Sequence, residues 1–430
     1  MTTTDAPLGT LATALRAGDV EPCGQLESLR ERFDDHEPQI QAFLPESDRW
    51  ARCERAALSL DRQYTDAGGR PPLFGVPVGV KDIFHVDGSP TAAGSRVPPA
   101  AITGPQAATV SSLEEAGAFV LGKTVTTEFA YFAPGPTRNP HDLGRTPGGS
   151  SSGSAAAVAA GLCPLALGSQ TIGSVIRPAA FCGIVGVKPS FGRVSTAGVV
   201  PVAPSVDHVG WFTQDLAGAR LAAGVLCADW RAEADSRAPT VGAVQGPYLE
   251  QASATGRAHF ESHLEELAAA GLEVRRVDPF ADLAAVNQRH ERLVAAETAL
   301  SHSEWYPAYG DRYAPATADL IEEGRAVTVG ELAAARAGRR ALRERVHDAM
   351  TDHGVDVLVS PAAPGPAPEG IDSTGDPIMN LPWTHAGLPT VTLPASTTDD
   401  GLPLGLQCTA RFGADEELLA WCRDLEAALA

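Results

Sequence analysis

Residues 147–193 read PGGSSSGSAAAVAAGLCPLALGSQTIGSVIRPAAFCGIVGVKPSFGR. Two glycine- and serine-rich loops flank a short apolar helix and a short apolar strand. Alanine dominates 154–160, and Gly161 with Pro164 ends the helical run. Residues 165–167 then read as a buried strand. A strand that runs back along two helical turns returns the chain to its starting end. Ser150 in the first loop and Ser174 in the second, 24 residues apart, are therefore expected to be neighbours. Gly173 lets the backbone turn sharply before Ser174. The amides of Thr171, Ile172, Gly173 and Ser174 are then expected to converge as an anion-binding nest.

Upstream, residues 75–84 read GVPVGVKDIF. Small and β-branched residues alternate over 73–84, a strand signal that carries Lys81 into the interior. An unperturbed lysine, with a pKa of about 10.4, is neutral in roughly one molecule in a thousand near neutral pH. Full burial lowers that value by about 3–5 units, enough to make a base. A strand continuing through Ile83 places Lys81 on one face with Gly79 and Ile83, and turns Asp82 to the other. Cleaving an amide needs a nucleophile, a proton acceptor and donors for the oxyanion. The chain offers Ser174, Lys81 and the 171–174 amides for these parts. Ser150 sits between lysine and nucleophile as proton relay, a variant of triad logic. Ser151, Gln170 and Arg177 are the candidate substrate contacts.

Helical and strand segments interleave over the rest of the chain, so the class is α/β. Residues 1–70 read as helices, 107–116 as an amphipathic helix, 118–121 as a short strand and 124–147 as loop. Residues 240–244, 256–270 and 272–277 read strand, helix, strand, a β-α-β unit. Residues 281–350 are helical with an aromatic interruption at 306–313. Strands resume at 355–360, 390–394 and 403–408. Because both ends supply strands, a single domain over 1–430 is expected. It comprises a helical region 1–70, a core 71–212 that carries the chemistry, and 213–430 completing the sheet, helices and pocket loops. Segments 131–137, 305–313 and 376–383 are expected to wall the pocket.

The formal net charge of -20, with no basic stripe, disfavours nucleic acid and anionic membranes as partners. Seven scattered cysteines without a CxxC pair read as reduced thiols of a cytoplasmic protein. The N-terminus MTTTDAPL lacks the basic and apolar regions of a signal peptide. The mostly apolar run 155–167 is shorter than the roughly 20 residues a membrane span needs. No HExxH or Cys/His cluster points to a metal, and nothing points to a cofactor.

GVPVGVKDIF, LGKTVTTEFA, RNPHDLGRTPGGSSSGSAAAVAAGLCPLALGSQTIGS and PAAFCGIVGVKPSFGRVS resemble successive blocks of the amidase signature family. LPWTHAGLPTVTLPA and LPLGLQ resemble its closing blocks. The resemblance covers 73–212 closely and the remainder more loosely. It implies a mixed central sheet wrapped in helices. It also implies amide hydrolysis without metal or cofactor, through an acyl-serine and a Ser-Ser-Lys triad. In that pattern the lysine of the GVKD block is Lys81, the first serine of GGSS is Ser150, and the serine of the block usually written DTGGSIR is Ser174. This chain departs from the last block. Gln170 stands at the acidic position, Ile172 where glycine or alanine is usual, and the arginine is displaced by one residue to Arg177. The QT-x-GS-x-IRP form resembles a compact subgroup that includes malonamidase-like enzymes. A guanidinium fork at Arg177 would match a substrate carboxylate, so a small carboxylated amide is the expected substrate.

Two other motifs compete with this reading. Residues 117–124, GAFVLGKT, match a phosphate-binding loop, but the four intervening residues are strand formers. GSSSG at 149–153 matches a nucleophile elbow with Ser151 attacking and His208 or His385 as base, but a polar loop precedes it where a buried strand is needed. Three functions remain: a stand-alone amidase, an amide-transferring component of a larger enzyme, and a non-catalytic binding relative. A homodimer through the helical N-terminal region is also expected.

Overall fold

The computed structural model describes residues 6–231 and 237–429. Ten strands form one mixed sheet: β1 (Pro77–Lys81), β2 (Phe119–Thr124), β3 (Leu165–Gln170), β4 (Val185–Lys188), β5 (His208–Thr213), β6 (Val241–Val244), β7 (Val274–Val277), β8 (Val357–Pro361), β9 (Thr390–Thr397) and β10 (Pro403–Thr409). Their order is β2-β1-β3-β5-β4-β9-β10-β8-β6-β7. β1 is parallel to both β2 and β3, and β6 is parallel to both β7 and β8. The antiparallel strands β5, β4, β9 and β10 lie between these two parallel groups, and the β4–β9 pairing joins early chain to late chain. The β-α-β reading over 240–277 holds, with the helix Ala254–Ala269 between β6 and β7.

The parallel pairing of β1 with β3 positions the functional end. Val80 lies opposite Leu167, so the next residue of β1, Lys81, comes level with Gly168, two residues before the end of β3. The helix Ser152–Ala159 packs beneath these strands with seven of its eight residues buried. It gets that close because its side chains are small. A Cβ on Gly153 would collide with the carbonyl of Ala42 and the amide of Val125.

Two local expectations fail. The strand expected over 73–84 stops at Lys81, because the Lys81 carbonyl accepts the amides of Ile83 (2.8 Å) and Phe84 (3.0 Å) and closes a turn. Lys81 and Ile83 therefore do not share a strand face. The strand expected over 118–121 runs on to Thr124, because Lys123 finds the Asp82 carboxylate at 2.8 Å inside the protein. That pairing also removes the phosphate-loop reading of 117–124: Lys123 is buried in a strand and already bound.

Replacing Gly153 with alanine should destabilise the protein by about 2 kcal/mol, since overpacking against backbone has no side chain to yield. A urea melt should show a lowered midpoint with an unchanged slope. An unaltered midpoint would mean that the helix has room to move.

Candidate active site

Lys81 is fully buried at the end of β1. Its Nζ lies 2.7 Å from Ser150 Oγ and 2.8 Å from Ser169 Oγ. Burial pushes its pKa well below the ordinary lysine value, and the Asp207 carboxylate, acting at a distance, pulls it partly back up. No carboxylate contacts Nζ among the described residues. Asp82, the neighbour in sequence, is held by Lys123 and by the Ala92 amide at 3.1 Å. A charged Lys81 donates to both serines. A neutral one donates to Ser169 and accepts from Ser150.

Ser150 precedes the buried helix, and the Gly149–Ser150 peptide bond is cis. Ser174 follows β3 in the turn 171–175, which leads into the helix Ile176–Cys182. Ser150, Thr171, Ile172, Ser174, Arg177 and Thr374 line one small recess. The recess shares Tyr131, Phe132, Ile172, Val294 and Pro377 with an outer cavity of about 640 Å³. The structure thus brings both serines to one recess and Lys81 into contact with Ser150. It records no hydrogen bond between Ser150 and Ser174 among the described residues.

The loop 171–174 is gripped from outside the recess. Thr171 Oγ1 donates to Asp207 Oδ1 at 2.6 Å. The Ile172 carbonyl accepts from Thr384 Oγ1 at 2.6 Å. Gly173 is pressed against the side chain of Asn380, where a Cβ would collide. The amides of Ile172, Gly173 and Ser174 have no protein acceptor among the described residues.

Three expected contacts are placed differently from one another. Ser151 is buried and bonds the backbone of Ser169, which leaves it outside the recess. Gln170 also lies outside the recess, because its carboxamide is consumed by Val175, Ile176 and Thr384. Arg177 does line it. Its Nη2 donates to Gly149 O (2.7 Å) and Thr374 Oγ1 (3.1 Å), while Nε and Nη1 have no partner among the described residues. Burial lowers the Arg177 pKa to about 9, so the guanidinium stays charged at neutral pH.

His208 and His385 are buried and line neither cavity. Their ring partners among the described residues are Gln170 O, Val206 O and His290, not Ser151, whose hydroxyl bonds the Ser169 backbone; this disfavours the elbow reading. The aromatic stretch 305–313 lines neither of these two cavities. Its Trp305 and Tyr313 stack on Phe129 with centroids 6.0 and 5.1 Å away. Segments 131–137 and 376–383 do contribute, through Tyr131, Phe132, Asp376, Pro377 and Ile378. Sequence reasoning missed the outer wall, where Glu291 and Glu323 project from the helices Leu283–Ser301 and Pro315–Ala326. It also missed Ser169, Asp207 and Thr384. Only Ser169 carried a local signal, as the polar end of an otherwise apolar strand.

Residues 25–419 match the family model described as Amidase. The chain belongs to the amidase family. Its sheet and site sit in an amide-hydrolysing enzyme. The chain is 34% identical over 410 residues to AtzE, part of the 1-carboxybiuret hydrolase of Pseudomonas sp. (strain ADP), covering 86% of this amidase and 87% of that protein. It is 32% identical over 467 residues to a glutamyl-tRNA(Gln) amidotransferase component of Synechococcus sp. (strain RCC307), covering 96% and 95% of the two chains. A crystal structure of an amidase superposes with a TM-score of 0.91 at 33% identity, covering 99% of this chain and 100% of that one. No described helix is long and apolar enough to cross a membrane.

Proposed function

We propose that this amidase hydrolyses a small carboxylated amide through an acyl-enzyme formed on Ser174. The observation that carries the reading is the 2.7 Å contact between a buried, counter-ion-free Lys81 and Ser150, at the recess that also holds Ser174. Neutral Lys81 takes the Ser150 proton as Ser150 takes the proton of Ser174. Ser174 Oγ bonds to the substrate carbonyl carbon, and the oxygen becomes an oxyanion facing the amides of 172–174. The C–N bond then breaks, and the proton returns through Ser150 to the leaving amine. Water repeats the sequence in reverse and frees the acid. Each oxyanion donor of this kind is worth about 3–4 kcal/mol in the transition state.

Arg177 supports the carboxylate. It is a charged guanidinium lining the recess, and its Nε and Nη1 donors have no protein acceptor among the described residues. The name of the relative 1-carboxybiuret hydrolase likewise denotes a carboxylated amide. The second reading, amide transfer within a larger assembly, follows from the relatives named as amidotransferase components. The acyl-serine chemistry is the same in both, and the net charge of -20 weighs against a tRNA partner.

A fluorophosphonate should form one adduct, mapped by peptide mass to Ser174, and Lys81→Ala should slow its formation by about 100-fold or more. An adduct on Ser151, or an undiminished rate without the lysine, would sink the relay.

Replacing Arg177 with leucine should cut the preference for carboxylated over neutral amides by at least about tenfold. An unchanged preference ratio would make Arg177 a purely structural residue.

Asp207 raises the pKa of Lys81, and only the neutral amine acts as base. Asp207→Asn should therefore lower that pKa further and move the acid limb of the labelling rate to lower pH. A limb that stays put or moves upward would remove Lys81 as the titrating base.

A further inference from the structure

Behind the nucleophile loop lies a pair of side chains that the acyl-transfer steps do not touch. Gln170 ends β3, and its Oε1 accepts the amides of Val175 (2.8 Å) and Ile176 (2.9 Å). Backbone amides only donate, so these two bonds fix which way the carboxamide faces. Its NH₂ group points to Thr384, and Nε2 donates to Thr384 Oγ1 at 2.9 Å. Two carbonyls compete for the single hydroxyl proton of Thr384. Asn380 O, four residues back along the chain, is at 3.2 Å, and Ile172 O is at 2.6 Å. The shorter contact takes the proton.

The Ile172 carbonyl and the Gly173 N–H belong to one planar trans peptide, so they point in opposite directions. Holding the carbonyl toward Thr384 therefore turns the Gly173 N–H away from that residue. At the end of the loop, the same Gln170 carboxamide holds the Val175 amide. We propose that Gln170 and Thr384 form a clasp that aims the oxyanion donors, with Thr384 a positioning residue acting through the Ile172–Gly173 peptide. The clasp also accounts for glutamine at a position where the resembling sequence block carries an acid. A carboxylate would still accept the two backbone amides. Lacking an N–H, it would draw the Thr384 proton to itself and release the Ile172 carbonyl.

The proposal rests on Ser174 as the nucleophile, so its test follows a fluorophosphonate adduct on that residue. The readouts are the maximal labelling rate and the probe concentration giving half of it. Thr384→Val keeps volume and removes the hydroxyl. Gln170→Glu keeps volume and both backbone bonds but reverses the third. Each should lower the maximal rate by about 30-fold, in line with the cost of misplacing reacting groups. The half-saturating concentration should stay within about twofold, and Thr384→Ser should restore the rate. A valine variant that labels as fast as wild type overturns the clasp. So does a serine variant as slow as valine. Should the valine variant fail to fold, Gln170→Glu decides alone: a wild-type rate there refutes the proton assignment. Wild-type protein that takes no adduct at Ser174 overturns the acyl-serine reading and the clasp with it. Normal wild-type labelling with unaffected variants overturns the clasp only.

Discussion

Lys81 Nζ is sealed from water against two serine hydroxyls, and among the described residues no carboxylate touches it. A buried ammonium without a counter-ion is costly enough that the group sheds its proton instead. The surroundings serve to keep the acids away. Asp82, next in the chain, is turned off by the tight turn at Lys81 and occupied by Lys123. Asp207, the carboxylate that influences the lysine at a distance, is tied down by Thr171 and by the amides of Val202 and Ala203. One acid is thus neutralised locally, and the other is held where it tempers the base without capturing it.

The same need for control explains why the late chain is required at a site whose lysine and two serines all lie before residue 178. The turn 171–175 has no regular pairing of its own. It is held by Gln170, Asp207, Asn380 and Thr384, and the last two arrive from a segment more than 200 residues onward in sequence. That segment is placed by the sheet, where β4 pairs with β9. Closing so long a loop is entropically unfavourable, but the cost grows only slowly with length. The gain is a 171–175 turn whose supports are rigid elements, as precise positioning of backbone donors requires.

Much of this was legible in the sequence, and the failures have a common cause. The α/β class, the β-α-β unit and the convergence of Ser150 with Ser174 followed from local periodicity and from one strand–helix reversal. The end of β1 was missed because the turn depends on which carbonyl captures which amide, a matter of a few ångströms that alternation cannot show. The helix Ile176–Cys182, IRPAAFC, was missed because it contains proline and is only seven residues long. Its first amide is satisfied by a glutamine side chain that precedes the loop. Ser169, Asp207 and Thr384 act through partners on other elements, so no spacing along the chain reveals them. The aromatic stretch 305–313 misled for the opposite reason. Its rings read as a binding wall, but they pack edgewise and face to face on Phe129 and His302.

Two buried basic side chains serve the recess, Arg177 lining it and Lys81 reaching it through Ser150, and burial acts on them differently. Lys81 and Arg177 are both almost completely enclosed, and desolvation is the leading influence on each. An ammonium group starts from a pKa near 10.4, and burial pushes that of Lys81 well below it, toward the neutral amine. A guanidinium starts above 12, and even lowered to about 9 it stays charged. The same dry environment therefore favours the neutral form of one residue and leaves the other charged. Exchanging them would fail in both directions. An arginine at position 81 would keep its proton, and a lysine at 177 would be driven toward the neutral form.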